Sequence, residues 1–147
     1  MRFRPLLAIA AVAVLAHLPT GPLAAQSAAD SAAIKATALD YIDGYYTGDA
    51  ARMERALHPD LAKRIVSTNP QGQSRLGQMS AMTLVQGTRA GGGKNETNKR
   101  EDVKILDIFQ NTASVRIDAG TWVDYLHVAK WNGRWVIVNV LWELRAQ

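Results

Sequence analysis

The chain contains no cysteine and only three histidines among its 147 residues. The lack of cysteine excludes disulfides, thiolate metal ligands and thiol catalysis. The histidines are His17, His58 and His127, and none of them stands in a His-x-x-x-His or Glu-x-x-His spacing. We therefore expect no metal site and no cofactor.

An excess of charge of one sign is also lacking. The formal net charge is +4, and it falls to about +2 if Arg2 and Arg4 leave with an N-terminal leader. A balance this mild does not favour binding to nucleic acid or to an anionic membrane surface. We expect neither as a partner.

Long apolar runs are absent except for Leu6–Leu18, which follows the basic segment Met1–Arg4. This run has about 13 residues, fewer than the roughly 20 that a membrane-spanning helix requires. Leu23-Ala24-Ala25 then offers small residues for cleavage. The three parts together predict a secretory signal peptide over residues 1–25. We expect an exported protein, periplasmic or secreted, without membrane contact after cleavage.

Two common catalytic motifs are missing as well. No serine lies in a Gly-x-Ser-x-Gly sequence, so a serine triad has no support. Gly91-Gly92-Gly93-Lys94 is not a phosphate-binding loop, because Thr88 replaces the first glycine and Asn95 replaces the Ser or Thr that follows the lysine. We interpret this segment as a helix stop followed by a loop.

The elements that are present begin with helices. Helical spacing of apolar residues predicts a helix over Ala28–Thr47, and Asp49 predicts the N-cap of a second helix, Ala50–Leu57, which Pro59 ends. A short strand over Leu61–Thr68 follows. Ser80 predicts the cap of a third helix that runs to about Arg89. The rest of the chain is rich in strand-forming residues, with predicted strands over Val103–Phe109 and Ala113–Ala119.

The last predicted element is a β-hairpin over Trp122–Glu143, centred on Asn132-Gly133. Asn-Gly accommodates the positive φ angles of a type I′ turn. By alternation, one strand face carries Val123, Tyr125, His127, Ala129 and Trp131, and the other carries Trp122, Asp124, Leu126, Val128 and Lys130.

This order predicts one α+β domain over residues 26–147, in which a curved antiparallel sheet wraps around N-terminal helices as a cone with an internal pocket. Both hairpin faces are apolar, and the helices can cover only one of them. We expect a second copy to cover the face with Trp122, Leu126, Val128, Ile137 and Leu141, which predicts a homodimer through the sheet. A monomer in which Lys130, Asp124 and Asn139 keep that face hydrated is the alternative.

Three segments resemble the nuclear transport factor 2-like superfamily: Tyr41–Asp49, Leu57-His58-Pro59 and Trp131–Asn139. Within it, the hairpin is most similar to the branch called "putative lumazine-binding", close to the polyketide-cyclase-like proteins. The resemblance implies an α+β cone with a pocket, often dimeric through the sheet. It does not imply one activity, since members include isomerases, dehydratases, cyclases and simple binders.

The resemblance also bears on chemistry. Tyr41 matches the tyrosine that donates to the substrate oxyanion in the ketosteroid isomerases of this superfamily. The position of their general base falls on Ile65, and that of their second carboxylic acid falls on His127. Two of the three groups are changed, so ketosteroid isomerisation is not expected. The alternative role for Tyr41 is a core tyrosine whose hydroxyl finds a partner in the cavity.

His127 is a candidate acid or base, since its side chain titrates near neutral pH. Asp124 lies on the opposite face by strict alternation, but a bulge would bring it beside His127 and let it orient the imidazole. The catalytic candidates are therefore Tyr41, His127 and Asp124. A histidine with a purely structural role is the alternative for His127.

Three functions remain open. The first is an exported domain that binds a small, partly apolar molecule, with a predicted lining of Tyr41, Tyr45, Met82, Val85, Tyr125, His127 and Trp142. The second is an isomerase, dehydratase or cyclase that uses His127 and Tyr41. The third is a non-catalytic structural or interaction module whose cone is filled by Trp142, Tyr45 and Met82.

Overall fold

The computed structural model describes residues 22–146, with side chains from Ser27 onward. Residues 1–21 of the predicted signal peptide lie outside the described residues. The described part contains three α-helices and six strands. They are α1 (Pro22–Thr47), α2 (Ala50–Ala56), β1 (Leu57–Thr68), β2 (Ser74–Ser80), α3 (Ala81–Arg89), β3 (Asp102–Phe109), β4 (Thr112–Asp118), β5 (Trp122–Trp131) and β6 (Arg134–Leu144).

The two predicted helix caps are confirmed. The Asp49 carboxylate accepts hydrogen bonds from the backbone N–H groups of Ala51 and Arg52, at 3.1 and 3.0 Å. The Ser80 hydroxyl accepts one from the backbone N–H of Thr83 at 3.2 Å. These bonds satisfy N–H groups that the first turn of a helix leaves without partners, and they fix where α2 and α3 begin.

The six strands form one sheet in the order β2-β1-β6-β5-β4-β3. Every neighbouring pair is antiparallel except β1 and β6, which are parallel. The predicted α+β class with a curved sheet is confirmed, and the prediction of a purely antiparallel sheet is wrong for this one pair. No helix among residues 22–146 combines the length and the apolarity needed to cross a membrane.

The predicted hairpin is confirmed. Asn132 and Gly133 connect β5 to β6 with φ angles of 48° and 78°, as a type I′ turn requires. Further along, β6 contains a bulge: His127 pairs with Asn139, but the next residue, Val128, pairs with Ile137. Val138 is therefore an extra residue, and it reverses the alternation of faces along β6.

The helices cover one face of the sheet and form the core with it. On β5 the covered face is the one with Trp122, Asp124, Leu126 and Val128, which are all buried. Our prediction that this face meets a second copy is therefore wrong. Leu141 is 51% exposed on the opposite face, because the bulge at Val138 moves it away from Ile137.

Candidate functional site

A cavity of about 280 Å³ lies between the helices and the inner face of the sheet. Its walls come from all three helices, from β1, β2, β5 and β6, and from the loop between α3 and β3. Four aromatic side chains dominate the lining, and Lys63 and Glu96 are the charged groups in it. The aromatic residues are Tyr41, Tyr45, Trp122 and Trp142.

A buried ion pair stands in the wall of this cavity. The Lys63 Nζ atom lies 2.6 Å from Oδ1 of Asp124. Asp124 is fully buried and Lys63 is only 5% exposed. Isolated charges are rarely buried, because each loses its hydration, so a pair of this kind requires close contact and further hydrogen bonds.

Tyr41 and Trp122 supply those further hydrogen bonds. Lys63 Nζ also donates to the Tyr41 hydroxyl at 2.7 Å. The second oxygen of Asp124 accepts from Trp122 Nε1 at 2.8 Å and from the Tyr41 hydroxyl at 3.3 Å. Both carboxylate oxygens are thus occupied by side chains of the chain itself. We call Tyr41, Lys63, Trp122 and Asp124 the buried polar cluster.

The local sequence pattern around each of these side chains places it on the buried face of its helix or strand. Tyr41 lies on the apolar stripe of α1, between the fully buried residues Ala38 and Ile42. Lys63 shares its strand face with Leu61, which is also buried. On β5, Asp124 lies between Trp122 and Leu126 on the inner face.

Trp142 brings a further aromatic surface to Lys63. The ring centroid of Trp142 lies 4.7 Å from Lys63 Nζ, and that of Tyr41 lies 5.4 Å away. Both distances are within the range of cation–π attraction. The Trp142 indole Nε1 is itself buried, and it has no hydrogen-bond partner among the residues that the structure describes.

Burial changes the acid–base properties of the cluster. It raises the pKa of Tyr41 well above its ordinary value, and the nearby Asp124 carboxylate raises it further. Burial lowers the pKa of Lys63, while the attraction of Asp124 opposes that change. Tyr41 therefore remains a neutral phenol that can donate a proton to a hydrogen bond.

The structure places three of the seven predicted lining residues in the cavity wall, namely Tyr41, Tyr45 and Trp142. Their role in ligand binding stays a prediction. Val85 is buried in the core without lining the cavity, and Met82 is 61% exposed. For these two residues the predicted lining is wrong, because α3 turns Leu84 to the cavity in their place.

Tyr125 and His127 are also predicted wrongly. Both are exposed on the outer face of the sheet, while Asp124 points inward. The bulge that we considered between Asp124 and His127 is not formed. The bulge in this hairpin lies on β6 and leaves the alternation of β5 intact. The Asp124–His127 pair is therefore not formed, and an enzyme built on Tyr41 and His127 has no common site. His127 instead faces the Asn139 amide, 3.3 Å from its Nδ1.

Lys63 is the site residue that sequence reasoning missed. A signal was available, because Leu61, Lys63 and Ile65 alternate along β1 and two of the three are apolar. Where such a row faces the core, a lysine within it needs a partner of opposite charge. The described residues contain no group of three or more His, Asp or Glu side chains able to hold a metal ion.

The tyrosines near the cavity give a pH-dependent prediction. Burial raises the pKa of Tyr41, of Tyr45 and of Tyr46, the last to about 12, whereas an unfolded tyrosine titrates near about 10. The native state favours the neutral phenols, so their contribution to stability is fully present below about pH 10 and is lost as the pH rises through their raised pKa values, which for Tyr46 is about 12.

We expect the absorbance of tyrosinate at about 295 nm to be lower in the native protein than in urea-unfolded protein at about pH 11. Tyr46→Phe is the control variant, because the Tyr46 hydroxyl donates to the Ala119 carbonyl at 2.8 Å. This variant removes one phenol with a raised pKa, so the difference in tyrosinate absorbance between the native and the unfolded protein should become smaller. Equal absorbance of the two states would contradict the prediction.

The cone, its cavity and the sheet order define a nuclear transport factor 2-like domain. Residues 29–143 match the family described as "Putative lumazine-binding". The match spans most of the chain, and the chain belongs to this family. No curated protein matches the chain.

Solved structures show the same fold. A nuclear transport factor 2-like protein from Novosphingobium aromaticivorans aligns with a TM-score of 0.64 and 12% identity, over 88% of this chain and 91% of that one. A relative from Silicibacter pomeroyi aligns with a TM-score of 0.60 and 19% identity, over 81% and 98%. A ketosteroid isomerase-like protein from Erwinia carotovora gives 0.51 and 12%, over 79% and 96%. At these identities the likeness concerns the fold alone.

Proposed function

We propose that the chain binds one small, partly apolar molecule in the cavity of about 280 Å³. The observation that carries this proposal is the combination of aromatic walls with a buried polar cluster that lines them. Small-molecule sites are typically concave, mostly apolar and supplied with a few well-placed polar groups. The volume lies just below the usual range of about 300–1,000 Å³, which suits a ligand of one or two fused rings.

The polar cluster favours a binding site over a purely structural interior. A buried ion pair generally contributes less to stability than well-packed apolar side chains of the same size. Lys63 nevertheless lines the cavity beside Tyr41, where it can orient a ligand. The name of the family to which the chain belongs refers to the binding of a small molecule, which also supports the proposal.

Dimerisation through the outer face of the sheet is part of the proposal. Apolar side chains that are about half exposed lie on that face of four neighbouring strands, β2, β1, β6 and β5. A second copy would remove them from water. They are Leu76, Val66, Leu141 and Tyr125.

Export is also proposed, and it rests on the sequence of residues 1–25 alone. The helix α1 begins at Pro22, so cleavage after Ala25 would shorten it by its first four residues. We expect the processed protein to begin at Gln26.

The test is mass spectrometry of the full chain expressed with its leader and purified gently. The denatured mass reports cleavage, and the native mass reports a retained molecule and the number of copies. The expected result is a native mass per copy that exceeds the mass of residues 26–147 and returns to that mass on denaturation. Two results together would overturn the proposed function. They are a native mass equal to that of the protein without a ligand in every charge state, and no binding of 2-acetonaphthone, 2-naphthoate or 2-isopropenylnaphthalene.

A further inference from the structure

We propose that the ligand is electrically neutral and presents a carbonyl-type oxygen to Lys63, and that anions of the same shape are rejected. This inference rests on the proposed function, because it describes the polarity of the same cavity. The argument comes from the donors and charges that the cavity wall leaves available to a ligand.

Lys63 retains one donor for a ligand. An ammonium group carries three N–H donors, and two of them are used by Tyr41 and Asp124. The third N–H has no oxygen or nitrogen acceptor among the described residues, while Lys63 itself lines the cavity. A hydrogen bond from an ammonium group is stronger than one between neutral groups. A ligand oxygen is therefore the natural partner for this donor.

Acceptors are scarce around Lys63. One oxygen of Asp124 accepts from Lys63, and the other accepts from Trp122 and Tyr41. The Tyr41 hydroxyl both accepts and donates within the cluster. Next to them, the buried indole N–H of Trp142 has no partner in the described part of the chain. The acceptors beside Lys63 are thus already occupied within the chain.

The charge around the cavity does not favour an anion. The positive charge of Lys63 is balanced by Asp124 at 2.6 Å, and the other charged group in the wall is Glu96. The titratable tyrosines, Tyr41 and Tyr45, have raised pKa values and remain neutral. A carboxylate that entered would lose its hydration without meeting an unpaired cation. A neutral oxygen has a smaller desolvation cost and accepts the same hydrogen bond.

Three probes of nearly equal shape separate the effect of an oxygen acceptor from the effect of a negative charge. They are 2-acetonaphthone, 2-naphthoate and 2-isopropenylnaphthalene. They are a neutral ketone, an anion and a hydrocarbon, and each is titrated into the wild-type protein near neutral pH by NMR. We expect the ketone to bind about tenfold or more tightly than either of the others, the range expected for one hydrogen bond to a charged donor.

Two variants locate the effect. Lys63→Met should reduce the affinity for the ketone to that for the hydrocarbon, and Asp124→Asn should raise the affinity for 2-naphthoate relative to the ketone, because Lys63 then lacks its counter-charge. Lys35→Met, on the exposed side of α1, is the matched control and should leave the ranking unchanged. The order of the three probe affinities in the wild-type protein tests the inference even if a variant of the buried polar cluster fails to fold.

The outcomes distinguish this inference from the proposed function. If 2-naphthoate or the hydrocarbon binds wild-type protein as tightly as the ketone does, the inference is overturned and small-molecule binding stands. If none of the three probes binds up to its solubility limit, the inference is overturned. If the native mass also shows no retained molecule, small-molecule binding falls with it.

Discussion

Lys63→Met is expected to lower the free energy of unfolding by about 3–5 kcal/mol, the cost of removing one partner from a buried ion pair. The variant leaves the Asp124 carboxylate fully buried, with only Trp122 and Tyr41 as hydrogen-bond donors. Urea unfolding followed by tryptophan fluorescence measures the change, because Trp122 is itself part of the cluster.

Two controls accompany this measurement. Lys130→Met removes a partly exposed lysine that is 2.9 Å from Asp30, and it should cost about 1 kcal/mol or less. The double variant Lys63→Met with Asp124→Leu should be more stable than Lys63→Met alone, since no buried charge is then left unpaired. If both lysine variants lowered the free energy of unfolding by the same amount, the buried ion pair would contribute no more to stability than the partly exposed one, which would contradict the prediction.

Gly93→Ala is expected to lower the free energy of unfolding by about 1–3 kcal/mol, as overpacking of a filled site does. A Cβ atom at Gly93 would lie 2.5 Å from both the carbonyl oxygen and the ring of Tyr45. The carbonyl belongs to the backbone of α1 and cannot rotate away. The loop that carries Glu96 must therefore move, and the cavity wall moves with it.

The matched control for this loop is Gly87→Ala. Gly87 lies within α3, and an added Cβ there meets no atom within 4 Å outside the helix's own backbone. Alanine favours the helical backbone more than glycine does, so this change should raise stability by up to about 1 kcal/mol. Thermal unfolding of both variants gives the comparison. A Gly93→Ala variant as stable as the wild type would mean that the loop does not pack against α1 as described.

Sequence reasoning succeeded where the determining contact is local. Asp49, Ser80 and the Asn132-Gly133 turn act on N–H groups or φ angles within three residues of themselves. Local chemistry of this kind can be read directly from neighbouring residues. It located two helix starts and the hairpin turn.

It failed where the determining contact is distant. The inner face of β5 was misassigned because both faces are rich in apolar residues, and the bulge at Val138 depends on pairing with β5. The buried polar cluster joins Lys63 to Asp124 across 61 positions of sequence. No local pattern near Asp124 indicates that its partner lies on β1.

One strand, β2, and the start of another, β1, were missed for a related reason. The strand β2, Ser74–Ser80, has little apolar alternation and contains Gly77, so only its pairing with β1 identifies it. Pro59 was read as a helix end, yet it lies inside β1, in the stretch between Leu57 and Ala62 where pairing with β6 is irregular. Proline is tolerated in a strand at such irregular positions.

The central place of β6 has a consequence for how the protein is made. It is the last of the strands in chain order, yet it lies between β1 and β5. Without residues from Arg134 onward, the chain lacks the strand that joins β2-β1 to β5-β4-β3, and each of these fragments would have an additional unpaired edge. Contacts between residues so far apart in sequence form late, so the two parts of the sheet can join only once the whole of β6 is available, on whichever side of a membrane the chain folds.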